Sequence, residues 1–479
     1  MKRSSGVLMH ITTLWGDHSI GGFGNSAKQF IDFLSDSGFT YWQVLPFGVT
    51  DECNSPYKSY SAFAGNPYFV DIEKLFDEGL VTKKELDGLK QKTPYVCEYD
   101  FLEKTRLPLL KKASERISDE LKKKVEAYIA KNKRLADFCL FMALKEANRG
   151  AECFDFKEND YDEATLFMWK FIQYEFFRQW NEIRKYANEK GILIIGDIPI
   201  YVSPDSADVF ADKDLFDMGK DGRPKSVAGV PPDYFCEDGQ LWGNPLYAWK
   251  RMKDDGYSWW CERIAHNLQI FDGVRIDHFR GFESYWSIPA DAKSAKEGKW
   301  IKAGGKRFIN EIRKVSEGSL VIAEDLGEIT DAVYELVKYS GFPGMRVLQF
   351  AFLGDPESPH LPHNYIENCV AYTGTHDNNT LLGYLLELDD ATRRRVFDYC
   401  GYHGYNSDEA CRYIVEAMLA SHAGTVIFPI QDLLGYGADT RMNTPGVAEG
   451  NWQIRFTKEQ IDSIDRGRLR YMNYLYGRK

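Results

Sequence analysis

Eight short apolar runs punctuate the chain, each closing on polar residues and each followed by a helical pattern. They cover residues 6–10, 40–45, 191–198, 273–277, 319–324, 345–350, 369–373 and 425–430. The third, Gly-Ile-Leu-Ile-Ile-Gly-Asp-Ile, is almost unbroken, as in parallel strands covered on both faces. Helical periodicity fills stretches between the runs, for example at 26–37, 166–189 and 331–339. Eight strands alternating with helices predict an α/β fold, the (β/α)8 or TIM barrel.

Uneven spacing locates insertions. About 145 residues separate the second run from the third, and their Lys- and Glu-rich middle, 80–133, has helical periodicity. A mostly helical insertion over roughly 75–165 is expected. A second insertion, roughly 205–266, concentrates Gly, Pro, Trp and Tyr in 228–247, which predicts an active-site lid loop. With 44% hydrophobic residues and no repeat or low-complexity linker, residues 1–479 read as one barrel carrying both insertions.

Charge and cysteines narrow the setting. A formal net charge of −11 makes nucleic acid and anionic membrane surfaces poor partners. No apolar run spans a bilayer, and the one after Lys2-Arg3 meets His10 too soon for a signal peptide. The nine cysteines are scattered, odd in number and free of Cys-x-x-Cys pairs, so a soluble cytoplasmic protein is expected. Aromatic residues reach 14%. They fill large cores, and Tyr and Trp also offer flat faces to sugar rings.

Residues 271–281 read Phe-Asp-Gly-Val-Arg-Ile-Asp-His-Phe-Arg-Gly. On a strand Arg275 and Asp277 share one face, and Val274 and Ile276 take the other. A structural ion pair at a strand end would explain the pair. So would chemistry: the arginine keeps the carboxylate ionised, and an ionised carboxylate is a nucleophile. Barrel active sites lie at the C-terminal strand ends. There stand Asp197, Arg275, Asp277, His278 and Glu324, with His376-Asp377 just beyond the seventh run. One aspartate at such a place is more often a helix N-cap, and Asp325, facing away from Glu324's side, suits that role. Several converging carboxylates fit a retaining glycosidase, whose two carboxyl groups lie about 5–5.5 Å apart. Asp277 is the better nucleophile. Glu324 follows Val321-Ile322-Ala323, an apolar approach that raises its pKa and suits an acid. Asp377 would stabilise the oxocarbenium-like transition state, and His278 and His376 would serve sugar hydroxyls. No His-Glu-x-x-His pattern supports a metal centre, and Gly21-Gly22-Phe23-Gly24 has no Walker lysine after it.

Longer motifs carry a resemblance. They include Tyr41-Trp42-Gln43-Val44-Leu45-Pro46, Ser55-Pro56-Tyr57, Gly229-Val230-Pro231-Pro232-Asp233-Tyr234-Phe235 and Gln240-Leu241-Trp242-Gly243-Asn244-Pro245. Ala323-Glu324-Asp325-Leu326-Gly327, Thr373-Gly374-Thr375-His376-Asp377-Asn378 and Asn443-Thr444-Pro445-Gly446 follow. From Arg3 nearly to the C-terminus the chain resembles the 4-α-glucanotransferases of the amylomaltase type, glycoside hydrolase family 77 of the α-amylase clan. The resemblance implies transfer between α-1,4-glucans or maltooligosaccharides, with glucose as an acceptor, no cofactor, no bound metal and no C-terminal β domain. It implies Asp277 as nucleophile, Glu324 as acid/base and Asp377 as stabiliser, supported by Arg275 and His376. Tyr57, Asp197, Asp233, Gln240 and Trp242 fall in segments that line donor and acceptor sites. Two departures, Ile11-Thr12-Thr13-Leu14-Trp15 after His10 and Asn379 in place of the usual Asp, bear on donor length. An α-1,4-glucan hydrolase of the same clan and an inactive glucan-binding scaffold are the competing readings; the intact Asp277, Glu324 and Asp377 argue against the scaffold.

Overall fold

The computed structural model describes residues 2–232, 237–447 and 449–478. Eight parallel strands close a barrel: β1 (Ser4–Leu8), β2 (Tyr41–Gln43), β3 (Leu193–Ile198), β4 (Gly273–Ile276), β5 (Leu320–Ala323), β6 (Gly344–Val347), β7 (Cys369–Tyr372) and β8 (Thr425–Pro429). They pair in chain order and β1 pairs with β8, which removes both sheet edges. All eight expected strands form, within a few residues of the expected ends.

Alternation sorts the side chains into two cores. Leu8, Ile195, Ile322, Met345, Val370, Tyr372 and Ile427 fill the barrel interior. Val274 and Ile276 of β4 and Val321 and Ala323 of β5 pack outward in the larger core beneath the helices. Arg275 therefore points inward, as its place between two outward residues requires. Close approaches demand glycine twice: a Cβ on Gly6 would lie 2.6 Å from that of Tyr41, and one on Gly196 would enter the Phe271 ring.

Helix Glu163–Glu189, capped by Asp162, backs β2 and β3 with a row of rings. Phe47, Phe176, Trp180 and Phe271 interlock there, with centroids 4.7 Å apart for Phe47 and Trp180. Much of the aromatic content is thus core. Helices Tyr99–Glu115, Asp119–Ala130 and Lys133–Ala147 pack along this long helix.

The stretch expected as loop contains strands. Ser226–Val230 and Gln240–Pro245 are strands of a four-stranded antiparallel sheet, completed by Ser284–Pro289 and Lys299–Lys302. Gly and Pro mask strand character in isolation. Gln240–Pro245 pairs with Ser226–Val230 nearby, and Ser226–Val230 in turn takes Ser284–Pro289, a distant partner that no local pattern displays.

Candidate active site

The strand ladders set the heights of the rim residues. Asp197 is level with Arg275 across β3 and β4, and Ile276 with Ala323 across β4 and β5. One step further, Asp277 and Glu324 stand side by side. Backbone bonds continue the ladder there, with the Asp277 N–H donating to the Ile198 carbonyl and the Glu324 N–H to the Ile276 carbonyl.

Arg275 sits between two carboxylates. Its Nη1 donates to both oxygens of Asp197 at 2.9 and 2.7 Å, and its Nη2 donates to Asp277 Oδ1 at 2.7 Å. The Asp197 side chain is 0% exposed and receives a third bond from the Tyr57 hydroxyl at 2.7 Å. The Asp197 carboxylate is thus engaged by Arg275 and Tyr57, and it anchors the guanidinium that faces Asp277. The Asp277 side chain is 29% exposed, with an oxygen left for the cleft.

Glu324 is held by the backbone. The His278 N–H donates to its Oε2 at 2.6 Å and the Leu326 N–H to its Oε1 at 2.8 Å. His278 reaches that position in the left-handed region, φ 49°, ψ 49°, a conformation that costs a non-glycine residue about 1–3 kcal/mol. Burial, reinforced by the Asp277 charge, lifts Glu324 to about 7 against Arg275 and the two amides. Glu324 thus holds a proton up to near-neutral pH, as a general acid must. Burial lowers the His278 imidazole to about 4, so it is neutral at pH 7.

Beyond β7, burial opposes the charge on Asp377, yet His376 and Asn443 outweigh it and hold the carboxyl at about 2. The His376 Nε2 lies 3.2 Å from Asp377 Oδ2, and Asn443 Nδ2 donates to Oδ1 at 2.6 Å. Burial lowers the His376 pKa, but Asp377 raises it on balance. The Asp377 side chain is 45% exposed. Tyr57 stacks on His376, with centroids 5.0 Å apart at 17°.

Trp242 meets His278 edge to face at 5.0 Å and donates to Gln240 Oε1 at 3.0 Å. The antiparallel sheet thereby brings both predicted residues to the rim, with Gln240 exposed. Asp233 lies outside the described residues. Asn443 and Arg441, whose Nη2 donates to the Asp377 carbonyl at 2.5 Å, were not singled out by residue chemistry. Asn443 was signalled only by the Asn443-Thr444-Pro445-Gly446 motif, and Arg441 by no motif. Asp325 begins no helix, since the next starts at Asp331. Its carboxylate instead accepts from the Met345 N–H at 2.6 Å and pairs with Arg346 at 3.2 Å, tying β5 to β6. Asn379 donates to Glu387 at 2.7 Å; an aspartate there would face a second carboxylate. Among the described residues no group of three His, Cys, Asp or Glu has the arrangement to hold a metal, and no helix is long and apolar enough to cross a membrane.

A closed parallel barrel with an acidic C-terminal rim places the molecule among the (β/α)8 carbohydrate-active enzymes. More narrowly, the chain belongs to glycoside hydrolase family 77, described as 4-alpha-glucanotransferase, whose sequence profile matches residues 9–460, and it is an enzyme of that activity. It is 41% identical to the 4-alpha-glucanotransferase of Synechocystis sp. over 500 aligned positions, covering 100% of this chain and 98% of the relative. Identity to the Thermus thermophilus 4-alpha-glucanotransferase is also 41%, covering 98% of each. A solved amylomaltase of Streptococcus agalactiae, in complex with acarbose, superposes with a TM-score of 0.95 at 37% identity and full coverage of both chains.

Proposed function

We propose that the chain moves α-1,4-glucan segments by double displacement through a glucosyl ester on Asp277. Asp277 attacks the anomeric carbon as the bond to the glycosidic oxygen breaks, and Glu324 gives its proton to the departing 4-oxygen. An acceptor 4-hydroxyl, on a maltooligosaccharide or on glucose, then takes the leaving group's place. Glu324 removes the acceptor proton, the new C–O bond forms and the ester bond breaks. Two inversions retain the α configuration.

The observation that carries this reading is the pairing of Asp277 with Arg275 beside a Glu324 raised to about 7. Esterification removes the Asp277 charge, which is one of the two causes of that rise. Glu324 therefore holds its proton less tightly once the ester exists, which eases its return to the ionised form that its second duty as base requires. Asp377, held ionised, stabilises positive charge developing at the sugar ring. Trp242, Gln240, Tyr57, His278 and His376 line the groove for sugar faces and hydroxyls. Buried, unpaired cysteines such as Cys139 and Cys369 support a reducing, cytoplasmic setting.

Incubation with maltotriose tests transfer against hydrolysis. Glucose together with maltooligosaccharides longer than the substrate is expected; shortening without elongation would refute it. Asp277→Asn is expected to abolish turnover while maltooligosaccharide binding survives, and retained turnover overturns the nucleophile.

A further inference from the structure

The loop carrying His376 and Asp377 leaves β7 at Thr373 and enters helix Leu381–Glu387 after Thr380. Both of its ends meet one side chain. The Thr373 hydroxyl donates to Asp432 Oδ2 at 2.5 Å, and the Leu381 N–H donates to Asp432 Oδ1 at 2.7 Å. Asp432 belongs to helix Ile430–Leu434, directly after β8, and is 4% exposed. Among the described residues no Lys, Arg or His forms an ion pair with it. Arg441, which lines the small cavity behind the loop together with Asp432, is committed to the carbonyls of Asp377 and Asn443.

We propose that Asp432 is a positioning residue for the transfer reaction: it clips together the two ends of the loop that aims Asp377 into the groove. The chemistry of the clip explains the residue type. Both anchors are donors, and a carboxylate is the short side chain with an acceptor for each. A neutral bridge would cost less, because burial raises the Asp432 pKa to about 6 and no cation offsets it. A buried charge that makes no ion pair and spans a functional loop is explained by the geometry it enforces. The remaining face of the loop is braced by Gln349, whose Nε2 donates to the Asn379 carbonyl at 2.7 Å.

This inference rests on the role given to Asp377. The test is steady-state kinetics on maltotriose for Asp432→Ala, Asp432→Asn, Thr373→Val and the Thr373→Val/Asp432→Ala pair, with circular dichroism and thermal melts alongside. A displaced Asp377 weakens the transition state more than substrate binding, and a misplacement of about 1 Å can cost about 10²-fold. In Asp432→Ala, kcat is therefore expected to fall at least about tenfold with KM within about threefold. Asp432→Asn keeps one acceptor and offers a donor to the Thr373 oxygen, so most of the rate should return. The double variant should be no slower than Asp432→Ala, since one clip is lost once. A folded Asp432→Ala with wild-type kcat, or an Asp432→Asn no better than it, overturns the proposal. If Asp432→Ala does not fold, Thr373→Val decides: lowered kcat at unchanged KM supports the clip, and wild-type kcat overturns it. Asp377→Asn run in parallel separates the two ideas. If it retains activity, the role of Asp377 has failed; if it is inactive while the clip variants are unaffected, only the clip has failed.

Discussion

Replacing Glu324 with Gln should change how stability depends on pH, and the structure sets the size of the change. The carboxyl rises from an ordinary value of 4.5 to about 7 in the folded protein, first through burial and then through Asp277. The folded state thus binds this proton more tightly than the unfolded chain. Its contribution is fully present below about pH 4.5 and is lost progressively as pH climbs to about 7. At 1.36 kcal/mol per pKa unit, about 3 kcal/mol is at stake. Gln cannot titrate, so this component is absent from the variant. The substitution also turns an amide donor toward either the His278 or the Leu326 N–H. That loss, about 1–3 kcal/mol, does not depend on pH and shifts the whole curve. Urea unfolding at pH 5 and pH 8 separates the two effects: the wild type should lose about 2.5 kcal/mol more than the variant between those values. With an unfolding entropy of about 2.1 cal/mol/K per residue, the corresponding difference in Tm is about 2.5 °C. Parallel curves for the two proteins would refute the account of Glu324.

The same group governs turnover: kcat/KM on maltotriose should fall with unit slope as pH rises through about 7, where Glu324 surrenders the proton it must donate; a pH–rate profile flat to about pH 9 contradicts this. Asn443→Ala removes the 2.6 Å bond to Asp377 Oδ1. A hydrogen bond to a charged group is worth about 1.5–3 kcal/mol, so kcat should drop about 10- to 100-fold, and an unchanged kcat shows that His376 alone suffices to hold Asp377. Asp197→Ala leaves Arg275 buried with a single carboxylate partner and should destabilise the fold by about 3–5 kcal/mol by denaturant titration. Its turnover should fall as well, because the guanidinium that faces Asp277 loses its second anchor; full activity would show that Asp197 aims nothing.

The barrel was legible because its strands are local objects. A run such as Leu193–Ile198 is apolar over most of its length, and only a sheet covered on both faces buries such a run. The polar residue closing each run marked the rim, which is why Asp197, Asp277 and Glu324 could be placed before their neighbours were known. Asp325 shows the limit of that reasoning. Adjacent to Glu324 and judged structural, it proved so, but by holding Met345 and Arg346 of the next strand and not by capping a helix.

Residue chemistry along the chain thus determined the architecture, the acidic rim and the Arg275–Asp277 pair, because each depends on spacing within a few residues. Partnership across the chain was decided by tertiary structure alone. Asn443 reaches Asp377 over 66 residues, Asp432 reaches Thr373 over 59, and strand Ser226–Val230 pairs with Ser284–Pro289, its register joining Gly229 to Trp286. Asp197 adds a fourth case: its carboxylate meets Arg275 of the neighbouring strand and the Tyr57 hydroxyl 140 residues earlier in the chain. The physical reason is common to all four. A hydrogen bond or a burial cost belongs to a pair of groups in space, and a position in sequence supplies only one of them.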